Sequence, residues 1–349
     1  MSFDANFAAS GAGSFPHIDP KVACELVLSS FPEVPFWPQL PAIDFREQME
    51  IQYSEGLPCV VIDDAKGRMF FDTSGDVTGA FEAFYENYLS ESLDYFGISE
   101  EFSQGIAAME KYLIGRLPTG IKYFKMQVTG PVSFALSVTD ERKRAIYYNE
   151  LFRDVIVKGM ALKTRWQLRK FRSLCEKQIC VIDEPILSAF GSSTYVSVKR
   201  EDVVAHIKEV VDAIHGEGGL AGIHCCGNTE WTIPIDAGVD IINFDAYQYG
   251  ESILLYPKQM QTFLQNGGVL SWGIVPTSED VNRLTASDLV NRLEGLADEL
   301  ASKGVDRDLI QQNAMVTASC GTGSVPVERS ELIARMTKEV SDMLKERYR

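Results

Sequence analysis

Gly219-Leu-Ala-Gly-Ile-His-Cys-Cys-Gly-Asn228 decides how this chain is read. Leu220 to Ile223 has the character of a short buried strand: small and branched apolar residues, with glycine before it and a helix-like segment upstream. Side chains alternate faces along a strand, so His224 and Cys226 point one way and Cys225 the other. An imidazole and a thiolate projecting together from a strand end make half of a tetrahedral zinc site. The other half must come from elsewhere. Ile241-Ile-Asn-Phe-Asp245 is a second buried strand, ending in a carboxylate. Val316-Thr-Ala-Ser-Cys-Gly321 is a third, ending in Cys320. A barrel would bring these ends together.

Working outward, the same strand-then-helix rhythm repeats. Upstream, Glu201 to His215 is a helix whose Val203, Val204, Ile207, Val210, Val211 and Ile214 form one stripe, closed by Gly216. Further strands are expected at Lys122–Val128, Ile179–Ile182, 268–272 and 314–318. Helices are expected at Val77–Ser90, Ser99–Gly115, from about Glu141 to Cys175, and at Val325–Tyr348. Phe7 to Ser14 reads as a first strand running into a glycine-rich turn. Phe31 to Ile43 carries Pro32, Pro35, Pro38 and Pro41 with Phe36 and Trp37, the composition of an ordered loop. Within Met49–Thr73, Cys59–Asp63 and Arg68–Phe71 flank Asp64-Ala-Lys-Gly67 as a hairpin. Its first arm, or the segment just before it, is expected to supply the second barrel strand.

Eight strand-like segments alternating with helices imply a parallel sheet buried on both faces. In one chain of 349 residues they imply a single (β/α)8 TIM-type barrel over 1–349, with an inserted hairpin near the N-terminus. An open dinucleotide-binding sheet would carry G-x-G-x-x-G after its first strand. Gly11-Ala-Gly-Ser-Phe-Pro16 does not, because proline blocks the helix start.

Composition narrows the setting. Apolar residues make up 45% of the chain, enough for a large core. No apolar run reaches the roughly 20 residues of a membrane helix. Met1-Ser-Phe-Asp-Ala-Asn-Phe lacks the basic flank and apolar core of a signal peptide. Seven scattered cysteines point to reduced thiols in a cytoplasm and not to a disulfide framework. A net charge of -16 makes nucleic acid and anionic membranes poor partners.

A barrel places its active site at the C-terminal strand ends. There the sequence offers Ser14, Thr129, Asp183 with Glu184, His224 with Cys226, Asp245, Trp272 and Cys320. Two thiolates and an imidazole suit zinc and disfavour Mg²⁺ or Ca²⁺. Three protein ligands leave one position open, as catalytic zinc requires. A lone His-x-Cys is also what a packed core gives; a third strand ending in Cys-Gly tips the balance to metal. Asp183 and Glu184 are adjacent and cannot share a face, so one enters the pocket and the other caps or braces. His17 follows the first turn within reach of the pocket, a candidate catalytic group beside Asp183.

Five motifs occur in order at these strand ends: Gly13-Ser-Phe-Pro16, Thr129-Gly-Pro-Val132, Ile182-Asp-Glu-Pro185, His224-x-Cys226 and Cys320-Gly321. On them the chain resembles the catalytic barrel of cobalamin-independent methionine synthase. More broadly it is similar to the superfamily joining that enzyme to uroporphyrinogen decarboxylase and corrinoid-dependent methyltransferases. The resemblance implies zinc held by His224, Cys226 and Cys320, with Asp245 where the synthase has a glutamate ligand. It implies that Ser14 and Asp183 hold the carboxylate and amino ends of homocysteine. The synthase's duplicated N-terminal barrel is missing, and Leu270-Ser-Trp-Gly-Ile-Val-Pro276 lacks its proton-shuttle histidine. Together these departures imply a methylated corrinoid as donor, free or on a corrinoid protein. Methyltetrahydrofolate as donor, another thiol as acceptor and a decarboxylase of the uroporphyrinogen type are the alternatives. The decarboxylase grips propionates with N-terminal basic residues, whereas this chain has no arginine before Arg46.

Overall fold

The computed structural model describes residues 3–114 and 118–349. Met1, Ser2 and the expected helix end at Gly115 lie outside the described residues. Six strands form one curled parallel sheet in sequence order. They are β3 (Phe124–Thr129), β4 (Gln178–Asp183), β5 (Leu220–Cys225), β6 (Ile241–Phe244), β7 (Val269–Val275) and β8 (Ala314–Ala318). Nearly every residue of these strands is buried, as a parallel sheet covered on both faces requires, including polar ones such as Lys125 and Gln127 of β3. Helices follow the strands, among them Arg200–Gly216, Pro257–Gln265, Ala286–Ser302 and Val327–Arg347.

Strand parity divides the inner face into two levels. Ile179, Val181, Leu220, Ile241, Val269 and Met315 pack together with Phe3, Ala8 and Val34 as a small core of their own. Two residues further along the same faces, or four in β5, come Asp183, His224, Asn243, Ser271 and Thr317. The interior therefore changes from apolar at the N-terminal strand ends to polar at the C-terminal ends. The pairing sets Asp183 beside His224, His224 beside Asn243, and Asn243 beside Ser271, so these groups run in one row.

Both edges of the sheet meet the N-terminal chain. Ala9 bridges Val316 of β8 in parallel, with Ser10 N–H donating to the Val316 carbonyl at 3.1 Å. Phe36 bridges Lys125 of β3, with Lys125 N–H donating to the Pro35 carbonyl at 2.8 Å. The two segments meet each other where Ser14 pairs with Gln39. Four prolines in 32–41 explain why this pairing is broken into single bridges: proline has no N–H to give a ladder.

That finding corrects the expected second strand. The hairpin forms, as β1 (Val60–Asp63) against β2 (Arg68–Phe71) around Gly67 at φ 54°, but it is a separate antiparallel pair. The residues just before it form the short helix Met49–Gln52. The segment that reaches the sheet is the proline-rich one, read from sequence as a loop. The long helix is also shorter than expected and spans Glu150–Arg172. Asp140 accepts the Arg142 and Arg144 N–H groups at 2.8 and 2.9 Å, closing a turn where the helix was expected to begin.

Candidate metal centre

The C-terminal strand ends open on a cleft of about 1250 Å³. Ser14, Gln39, Asp183, His224, Cys226 and Cys320 line it: Ser14 and Gln39 from one bridge, Asp183 from the end of β4, His224 and Cys226 from the end of β5, and Cys320 from just past β8. His224, Cys226 and Cys320 each offer a ligand atom, all within 4.8 Å of one another. Among the described residues this is the one such group of three histidine, cysteine or carboxylate side chains. Cys225 is fully buried on the opposite face, its sulfur toward the Gly227 carbonyl at 3.8 Å.

Each member is positioned by a backbone reason. His224 is the penultimate residue of β5 and is only 5% exposed. Its Nδ1 lies 2.5 Å from Asn243 Oδ1, while its Nε2 is buried without any hydrogen-bond partner. Cys320 follows β8 and is succeeded by Gly321, where a Cβ would lie 2.2 Å from Ser14 Oγ. Glycine is thus what lets the Cys320 loop rest on Ser14. Ser14 Oγ accepts the Gly323 N–H at 3.2 Å, which leaves its own proton free to donate into the cleft.

Charge in the cleft is lopsided. Asp183 and Glu50 line it, and among the described residues no lysine or arginine does. Asp183 is half-buried, but its Oδ1 is sealed from solvent and unpartnered. Burial pushes its carboxyl up to about 6, against the His224 and Lys125 charges that pull it down. The two thiols behave as a pair. The facing Cys320 side chain, and then the imidazole, hold Cys226 well below the usual thiol range, whereas Cys226 drives Cys320 up. Burial opposes charge on His224, but the Cys226 thiolate and Asp183 outweigh it and raise its pKa. Two cysteine sulfurs and an imidazole nitrogen within 4.8 Å of one another are the donor set of a soft tetrahedral ion. Buried Nε2 without a partner is the atom such an ion would satisfy.

The other expected site residues lie as follows. Asp245 is buried and caps the short helix Ala246–Tyr249, accepting the Gln248 N–H at 2.7 Å. It stands outside the group of three, although it feels the charges of Cys226 and His224. Glu184 is fully buried and accepts the Val132 and Ser133 N–H groups at 2.9 and 2.7 Å, at the start of the helix Pro131–Ser137. Thr129 is fully buried and donates to the Met49 carbonyl at 2.8 Å. Trp272 faces away from Ser271 and the cleft, its ring 5.2 Å from that of Phe244. His17 is 5% exposed and absent from the cleft lining; its Nε2 lies 3.7 Å from Glu331 of the last helix. Reasoning from sequence missed Asn243, Gln39 and Gln127. Asn243 had a signal: a polar residue in phase with His224 inside an otherwise apolar strand.

Parallel strands with a cysteine–histidine centre at their C-terminal ends define the class of site. No family model matches the chain, and no curated protein matches it in sequence. Among solved structures, a methyltransferase from Methanosarcina mazei is similar over 93% of this chain and 86% of its own, at 11% identity and a TM-score of 0.49.

Proposed function

We propose that this chain is a zinc-dependent methyltransferase that moves a methyl group from a methylated corrinoid to a small thiol, homocysteine, giving methionine. The observation that carries the reading is the trio His224, Cys226 and Cys320 lining an open cleft, with the buried His224 Nε2 lacking any hydrogen-bond partner. These three residues would hold the ion and leave its fourth position to the cleft. Zinc bound there would lower the pKa of a substrate thiol and keep it as thiolate at neutral pH. Two protein thiolates offset the ion's charge, so a third makes the centre anionic and its sulfur more nucleophilic. Asp183 receives the substrate amine, and the Ser14 hydroxyl donates to its carboxylate.

The charge of the cleft supports a corrinoid donor over a folate. A folate brings several carboxylates, for which a lining without lysine or arginine has no partner. The same deficit argues against propionate-bearing substrates of a decarboxylase. The reading includes a closed barrel, with the bridging segments around Ala9 and Phe36 as its first two strands. It also includes a cytoplasmic protein that meets a corrinoid protein transiently.

Metal analysis together with a methyl-transfer assay tests the reading. The protein reconstituted with zinc is expected to hold one ion and to convert homocysteine and methylcobalamin to methionine and cob(I)alamin, the cobalt keeping the electron pair of the broken Co–C bond and the thiol proton passing to solvent. Stoichiometric zinc with no methylation of homocysteine or any other thiol would refute it.

A further inference from the structure

We infer that Asn243 is a positioning residue for the metal: it locks His224 in the tautomer that turns the Nε2 lone pair toward the two sulfurs. The inference rests on the zinc reading above. Its grounds are the hydrogen bonds around one amide. The Asn243 Nδ2 lies 3.0 Å from the Ser271 carbonyl, 2.9 Å from Ser271 Oγ and 2.8 Å from Thr317 Oγ1. A backbone carbonyl only accepts, so the nitrogen end of the amide must face it. The oxygen end then faces His224 Nδ1 at 2.5 Å, and it too only accepts. Nδ1 therefore carries the proton. A histidine that binds a metal is neutral and has a single N–H, which leaves Nε2 as the atom for the ion. That atom is the buried one without a partner.

The choice of amide has a charge rationale. Metal-bound histidines commonly donate their second N–H to a carboxylate or a carbonyl. Here Cys226, Cys320 and Asp183 already crowd the floor of the cleft with acidic groups. A neutral acceptor orients the ring without adding another buried negative charge. Asn243 also ties three strands together, since it sits on β6 and bonds β5, β7 and β8 through His224, Ser271 and Thr317. The ring is fixed relative to β8, the strand that delivers Cys320.

Nitrogen NMR of the zinc-loaded protein tests this directly, because the chain has four histidines to resolve. One is expected to show a slowly exchanging proton on Nδ1 and a metal-shifted Nε2. A histidine bound through Nδ1 would overturn the inference while leaving zinc in place; a wild type that takes up no zinc would remove the zinc reading and this inference with it. Chelator competition on two variants adds a second measurement. Asn243→Leu removes the acceptor and is expected to weaken zinc by about 10- to 100-fold. Asn243→Asp keeps an acceptor and is expected to stay within about 10-fold of wild type, with its Nδ1 proton retained. A merely structural role predicts the reverse, since a buried unpaired charge harms folding more than leucine does. Zinc lost as badly in Asn243→Asp as in Asn243→Leu, or kept at full affinity in Asn243→Leu, would refute the assignment.

Discussion

Replacing Glu184 by alanine should destabilise the protein far more at pH 5 than at pH 8. The Glu184 carboxyl is fully buried and accepts two backbone N–H groups at the start of the helix that follows β3. Removing it strands those two donors, at about 1–3 kcal/mol each. Against that stands the cost of the buried charge itself. Burial raises the Glu184 carboxyl from 4.5 to about 7, against the pull of Ser133 and Val132. Between those values the folded protein holds a proton that the unfolded chain has released. Stability linked to this group is therefore full below about 4.5 and is lost as the pH climbs through about 7. Integrated from pH 5 to pH 8, the loss is about 2–3 kcal/mol. Wild type carries that slope and Glu184→Ala does not. Urea unfolding of both proteins at the two pH values gives the difference directly. A destabilisation that is the same at both pH values, or larger at pH 8, would refute this account of the buried carboxyl.

Three further outcomes follow from the site. Cys226→Ser and Cys320→Ser should each lose bound zinc and methyl transfer together, whereas Cys225→Ser should lose neither; metal analysis of the three variants checks the strand parity behind the reading. Asp183→Asn should keep its zinc but raise KM for homocysteine by about 10- to 100-fold, the worth of one charge-assisted hydrogen bond; equal use of a thiol lacking the amino group by wild type and variant would remove Asp183 from that role. Gly321→Ala forces a Cβ to within 2.2 Å of Ser14 Oγ, so it should cost about 1–3 kcal/mol of stability and raise KM for homocysteine, measured by thermal unfolding and steady-state kinetics.

The fold was legible wherever burial on two faces wrote itself into the sequence. Strands β4 to β8 are mostly apolar, and each of β3 to β8 lies within a residue or two of its expected place except at the end of β7, which runs three residues further, to Val275. The N-terminal third was not legible for the opposite reason. Its bridges to the sheet are single ones at Ala9 and Phe36, and a bridge needs neither an apolar run nor alternation. The prolines that make 32–41 look like a loop are the same residues that stop its pairing from becoming a ladder. The hairpin, by contrast, has clean strand signals and belongs to no larger sheet. Pattern reports that a segment is extended, and not which edge it will meet.

The site divides along a similar line. Residues whose chemistry is self-announcing, His224, Cys226, Cys320 and Asp183, could be read from strand ends and parity, and the structure brings them to one cleft. Which of two adjacent acids enters the cleft could not be read, because Asp183 and Glu184 differ only in the face they take. The decision is made elsewhere, by the Val132 and Ser133 N–H groups that the end of β3 presents to Glu184. Strand-end position alone also misplaces Trp272, since β7 continues to Val275 and parity turns the indole outward beside Phe244. The same parity turns Ser271 inward, where it accepts from Asn243, which in turn accepts from His224. One strand thus gives its bulk to the outer core and its small hydroxyl to the candidate metal centre. A residue-by-residue search for ligands passes over Ser271 and Asn243, because what they supply is the direction of another side chain's lone pair.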